Sequence, residues 1–238
     1  MANYSLRTAL IQPNQSALWR RWVAANAISE MLGLGATFAV TALALTRLTG
    51  GGAAVALAAY GLEVGAGAIE ATLVGLAQWW AMRPWFPQIT RKAWWLGTLG
   101  GALAAYMLGF LPSTIMGLME DSAQAQGQAA AMQEPPMGIV LLLAAGLGLV
   151  AGAMLSFAQW LVLRKTVRGA GVWIPANMLA WMFGMPLVFW GIDAAQKGQP
   201  LYQSILIMVG VLLAMGAVVG AVHGWFLVRI AEKNPPHS

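Results

Sequence analysis

Six stretches of this chain are each long and apolar enough to cross a bilayer as a helix, and this limits the fold more than any other feature. They lie at about Trp22–Leu48, Ala53–Met82, Trp94–Met119, Met137–Leu163, Trp173–Asp193 and Leu201–Val228. A hydrocarbon core of ~30 Å needs ~20 such residues, and within it each backbone N–H and C=O must bond inside its own helix or a closed barrel. Segments of this length predict an all-α fold, a polytopic six-transmembrane-helix bundle. The first two spans are joined by Thr49-Gly50-Gly51-Gly52, which reads as a tight hairpin. The longest connection, Glu120 to Pro136, is rich in Gln and Ala and reads as a short amphipathic helix or a loop.

Three of the spans close in the same way: Gln78-Trp79-Trp80-Ala81-Met82-Arg83, Gln159-Trp160-Leu161-Val162-Leu163-Arg164, and Gly224-Trp225-Phe226-Leu227-Val228-Arg229. In each, a Trp precedes an Arg by four residues, so both side chains share one helix face. Indole and guanidinium at the end of an apolar helix suit the membrane–water interface. The alternate spans open on Trp as well. Trp22 is followed by Asn26 and Gly33, and Trp173 by Asn177 and Gly184 at the same offsets, while Trp94-Trp95 has Thr98 where an Asn would stand. The chain therefore reads as three parallel helical hairpins, 22–83, 94–164 and 173–229, around a pseudo-threefold axis along the membrane normal. Trp22, Trp79, Arg83, Trp160, Arg164, Trp173, Trp225 and Arg229 are its expected interface anchors.

Composition agrees. Hydrophobic residues make up 59% and charged residues 9%, against ~25% charged in soluble domains. The net charge of +5 does not indicate nucleic acid, because the basic residues sit at helix ends rather than in one patch. Of 13 Lys and Arg, all but Arg47 and Lys197 fall on one side of a six-span chain, while Glu120, Asp121, Glu134 and Asp193 fall on the other. The positive-inside rule then places both termini in the cytoplasm. Residues 1–21 show no apolar signal-peptide core; they read as a cytoplasmic segment in which Ser16 caps a helix beginning at Ala17. Residues 230–238 read as a cytoplasmic tail. The absence of cysteine excludes disulfides, thiolate metal sites and Cys nucleophiles.

The repeated ends resemble those of a loose group of uncharacterised bacterial multi-pass membrane proteins, whose Gly-rich helices end in Gln-Trp-x-x-x-Arg. The resemblance implies a bacterial inner (cytoplasmic) membrane and no particular activity. Three two-helix units also resemble mitochondrial carriers in outline, but the Pro-x-Asp/Glu-x-x-Lys/Arg signature of that family is missing.

The polar residues inside the spans are few. Asn26, Gln78, Gln159, Asn177 and His223 lie ~6–9 Å from their helix ends at 1.5 Å per residue, a depth that puts them in one layer. Such a layer reads either as interhelical hydrogen bonding or as a vestibule for a solute. Intramembrane carboxylates are costly and mark function by default. Glu70 lies near the midplane and Glu30 about two turns past Trp22, whereas Glu63 is close to a helix end. Proton or cation coupling and a structural hydrogen bond are both open to Glu30 and Glu70. His223 stands beside Gly216-x-x-x-Gly220-x-x-x-Gly224, a ridge that permits close helix contact. It reads as a packed His, or as an axial ligand to a pigment metal. Gly148-x-x-x-Gly152 and Gly61-x-x-x-Gly65 read as packing motifs.

No Ser/His/Asp set, His-Glu-x-x-His motif or P-loop is present. The sequence therefore favours a non-catalytic structural or accessory subunit of an inner-membrane assembly, with no metal and no assigned cofactor. Its expected partners are the lipid bilayer and other membrane subunits or a second copy, not nucleic acid. A small-solute or ion carrier using Glu30, Glu70 and the polar layer is the alternative, and a pigment-binding subunit through His223 the third. A continuous water-accessible path reaching Glu70 favours the carrier; a dry, filled axis with an exposed Gly/Trp groove favours the accessory role.

Overall fold

Among residues 14–49, 51–125 and 135–235, which the computed structural model describes, six long helices carry the fold. They are α1 (Gln15–Leu45), α2 (Ala53–Met82), α3 (Arg91–Ala125), α4 (Met137–Leu163), α5 (Trp173–Ala195) and α6 (Leu201–Glu232), with a 3₁₀ turn at Ala170–Val172 leading into α5. All six are long and apolar enough to cross a membrane, so the chain is an all-α integral membrane bundle.

The helix ends differ from the sequence reading in several places: α1 stops at Leu45, α3 begins at Arg91, and α6 runs on to Glu232, into the expected tail. Asn14, not Ser16, caps α1: its Oδ1 accepts from the Ser16 backbone N–H at 3.0 Å and from the Ser16 hydroxyl at 2.8 Å. With the Ser16 hydroxyl engaged as a donor, the helix starts at Gln15, because an Asn side chain satisfies the orphan amides as well as Ser would. At the other end of the bundle α3 continues past Met119 to Ala125, which takes the backbone of Glu120 and Asp121 into the helix. Residues 126–134 of the expected loop, Glu134 among them, lie outside the described residues, as do Arg7 and His237.

Each helix packs on its neighbours in sequence, and α6 closes on α1, so the six form a ring. Lipid tails are as apolar as Leu, so helices in a bilayer gain mainly by close backbone approach, which needs small residues. The α1–α6 seam shows this. A Cβ at Gly216 would stand 2.7 Å from the Asn26 carbonyl oxygen, one at Gly220 3.0 Å from the Asn26 Cβ, and one at Gly224 2.8 Å from the Trp22 ring. Gly152 meets the Asn177 carbonyl across the α4–α5 seam, and Gly101 meets Leu155 across α3–α4. Gly61 and Gly65 are different: nothing lies within 4 Å of a Cβ at either, so that pair is not a helix contact.

Packing is uneven along the axis. The end that carries Arg83, Arg164 and Arg229 (the basic end) holds the larger buried cluster. It combines Trp22, Trp94, Trp173, Leu18, Met82, Leu163 and Leu227 with Trp85 and Phe86 from the α2–α3 connection. A smaller cluster of Leu34, Ala180, Val188, Leu212, Met215 and Val219 follows the α1–α5–α6 side toward the opposite end.

Candidate functional site

Two polar layers sit inside the ring, one turn apart. The first is built on three tryptophans from alternate helices. Trp22 (α1), Trp94 (α3) and Trp173 (α5) are fully buried and meet edge to face, with ring centroids 5.8 to 6.5 Å apart. Each indole N–H is taken by the neighbouring helix. Trp22 donates to His223 Nδ1 at 2.7 Å, Trp94 to Gln78 Oε1 at 3.3 Å, and Trp173 to Gln159 Oε1 at 2.9 Å.

The two glutamine amides extend the network. Gln78 Nε2 donates to Asn26 Oδ1 at 2.8 Å, and Gln159 Nε2 to Thr98 Oγ1 at 3.0 Å and to Gln78 Oε1 at 3.3 Å. Asn26 and Asn177 each return an N–H to the carbonyl of their own helix's Trp, four residues earlier. The layer is therefore buried and bonded, none of its polar side chains more than 3% exposed. It brings together Asn26, Gln78, Gln159, Asn177 and His223 as their depths suggest.

Trp22 and Trp173 are a correction to the expected anchors. They face the axis instead of the headgroups, because each N–H finds a buried acceptor there and three rings fill the space that a ring of six helices leaves. Trp94 and Thr98 belong to the same layer. Their offset of four residues, shared with Trp22–Asn26 and Trp173–Asn177, was the signal for them. The other anchors lie outward. Arg83, Arg164 and Arg229 stack over Trp79, Trp160 and Trp225 at 5.2, 4.6 and 3.4 Å from the ring centroids.

His223 is 1% exposed, with the Trp22 and Trp173 rings each 5.5 Å away. Because Nδ1 accepts from Trp22, the ring's proton is on Nε2 and the imidazole is neutral. The side chain is enclosed, leaving no open face for a porphyrin or chlorin.

The second layer is acidic. Glu30 (α1) and Glu70 (α2), 1% and 7% exposed, are buried close enough for their carboxyls to interact across the α1–α2 seam. The Tyr106 hydroxyl (α3) donates to Glu70 Oε2, while Glu30 Oε2 is buried without a hydrogen-bond partner. Glycines frame the group. A Cβ at Gly33 would lie 2.9 Å from Glu70 Cα, one at Gly216 2.9 Å from Glu30 Cβ, and one at Gly67 2.6 Å from the Tyr106 ring. Thr37 ties α1 to α2 next to them, donating to the Ala66 carbonyl at 3.1 Å. Neither Arg47 nor His223 pairs with these carboxylates: the one salt bridge among the described residues is Lys197–Asp193 at the surface.

Above Glu70 the ring is not filled. A cavity of about 230 Å³ is bounded by the five helices α1 to α5, lined by Glu70 and Tyr106 at one side and otherwise by apolar groups such as Phe38, Phe110, Trp181 and Phe189. The lining runs toward the end opposite the arginines, as far as Ile192, one turn short of the end of α5. Among the described residues, no group of three His, Cys, Asp or Glu is placed to hold a metal ion. The arrangement is thus a bonded plug at the basic end, two carboxyls above it, and an aromatic chamber above them.

No protein-family model, no curated protein and no solved structure matches this chain.

Proposed function

We propose that this chain is a non-catalytic membrane carrier that takes a small organic solute into the chamber bounded by α1 to α5. The observation that supports this reading is the cavity of about 230 Å³ ending on Glu70 inside the bundle. A cavity of ~150 Å³ lined by apolar groups admits benzene, so this one suits a single ring with a short substituent. Binding sites are commonly apolar concavities with a few placed polar groups, and Glu70 and Tyr106 supply those here.

The charge asymmetry makes the basic end cytoplasmic, so the chamber faces the far side and the tryptophan layer closes the near one. In this reading the host is a bacterial inner membrane, and the three hairpins are repeats. The repeat is supported by the cyclic pattern in which each buried Trp donates to the helix preceding it around the ring.

A structural or accessory subunit is the second reading, favoured by the buried, hydrogen-bonded layer at the basic end. The test separates the two. Wild type and Ala151→Phe, which places a ring in the chamber lining, are released from nanodiscs directly into a mass spectrometer. The carrier reading expects a small organic molecule on wild type that the equally stable variant lacks. Identical spectra without such an adduct would favour the accessory subunit.

A further inference from the structure

The acidic layer and the chamber meet at one residue, and their chemistries constrain what can enter. Glu70 lines the cavity, and behind it stands Glu30, near enough to interact with the Glu70 carboxyl and with one oxygen unpartnered. No Lys or Arg of the described chain reaches either carboxylate. Two neighbouring buried carboxyls do not both ionise readily without a cation beside them, and the described residues supply none. An intramembrane carboxylate without an internal partner is a site for a cation or a proton from outside.

The rest of the lining decides which kind of cation. A metal ion stripped of its waters needs several oxygens, six to eight for a calcium ion. Here the lining oxygens come from Glu70 and Tyr106, with Glu30 buried behind them, while the walls are Phe38, Phe110, Trp181, Phe189 and aliphatic groups. A bare metal ion would gain nothing from those walls, and a hydrated one would have to bury its water against them. An organic ammonium fits both parts. Its N–H groups are donors for carboxylate oxygens, charge-assisted and stronger than neutral bonds. Its apolar body meets the aromatic rings, whose faces attract cations.

Resting on the carrier reading above, we infer that the chamber binds an amphipathic amine cation about the size of a single substituted ring, its ammonium on Glu70, with the Glu30 carboxyl behind, and its body against Phe110, Trp181 and Phe189. Tyr106 holds Glu70 Oε2 and so orients the carboxylate toward the chamber, acting as a positioning residue.

The experiment uses the full chain in nanodiscs and equilibrium dialysis with radiolabelled 2-phenylethylamine, and with 2-phenylethanol as a neutral probe of the same shape. Ala151→Phe measures the membrane background. The expected result is saturable amine binding above that background, with the alcohol at least tenfold weaker. Glu70→Gln should lose at least tenfold for the amine while keeping its alcohol binding, which shows that the variant chamber is intact. If Glu70→Gln fails to fold, Glu30→Gln carries the same expectation. Equal affinity for alcohol and amine, or amine binding unchanged by loss of the carboxylate, would overturn the amine assignment and leave the solute chamber standing. Absence of saturable amine binding would also overturn it, and the mass-spectrometric comparison then decides the chamber itself.

Discussion

Replacing Gln159 by Leu breaks the centre of the tryptophan layer in a way that can be apportioned. Gln159 accepts from Trp173 at 2.9 Å and donates to Thr98 at 3.0 Å and, more weakly, to Gln78 at 3.3 Å. Interhelical hydrogen bonds in membranes average ~0.6 kcal/mol and reach ~1.7, so the lost bonds account for about 1–2 kcal/mol. The larger effect is the Trp173 N–H left in a fully buried site, since a stranded buried donor costs ~1–3 kcal/mol. The expected loss is about 2–5 kcal/mol.

Trp173→Phe removes the donor instead and strands the Gln159 oxygen, for about 2–3 kcal/mol including the smaller ring. Combining the two changes leaves neither group stranded. The double variant should therefore be more stable than the sum of the single losses by about 1–2 kcal/mol, within the range seen for directly bonded residues. Reversible unfolding of the four proteins in bicelles, driven by steric trapping, measures the cycle. Additivity within ~0.3 kcal/mol would refute the assignment of this bond as a buried and energetically coupled pair.

Other expectations are simpler to check. Gly220→Leu should destabilise by about 1–3 kcal/mol, because even its Cβ meets α1 at 3.0–3.1 Å, whereas Gly61→Leu, with open space around it, should leave the melting temperature nearly unchanged; similar shifts for both would remove the seam argument. Gly67→Ala should push the Tyr106 ring off its place beside Glu70, so that the stability effect of Tyr106→Phe, about 1 kcal/mol from one lost bond, becomes smaller in the Gly67→Ala background. For topology, reporter fusions after Arg83, Arg164 and Lys233 should report cytoplasm and fusions near Gly51 and Gln126 the opposite side; one reversed middle fusion would defeat the proposed orientation. Arg229→Gln should cost no more than ~1 kcal/mol in detergent, the scale of a solvent-exposed cation–π contact, and should cost nothing further once Trp225 is Leu.

Much of the candidate site is legible from depth alone. Asn26 and Gln78 are similarly far from their helix ends, and they bond directly across the α1–α2 hairpin. That same antiparallel register, which sets Thr37 against Ala66 and Gly33 against Glu70, brings Glu30 within one turn of Glu70. The pairing of the two carboxyls was therefore available from hairpin arithmetic. Tyr106 was not, because its partner is on a different hairpin and nothing local marks it.

The sequence by itself determined the six helices and the stacked Trp–Arg pairs, since these depend on apolar run length and on a four-residue spacing within one helix. Which faces turn inward was decided by the tertiary structure. In a soluble helix the polar face identifies the outside, but here both the lipid and the core are apolar, so periodicity carries no such label. Trp22 and Trp173 show the consequence: interfacial by position, they are drawn to the axis by buried acceptors on other helices. The chamber has the same origin. It is the space left where five helices fail to meet above Glu70, and no single segment records it.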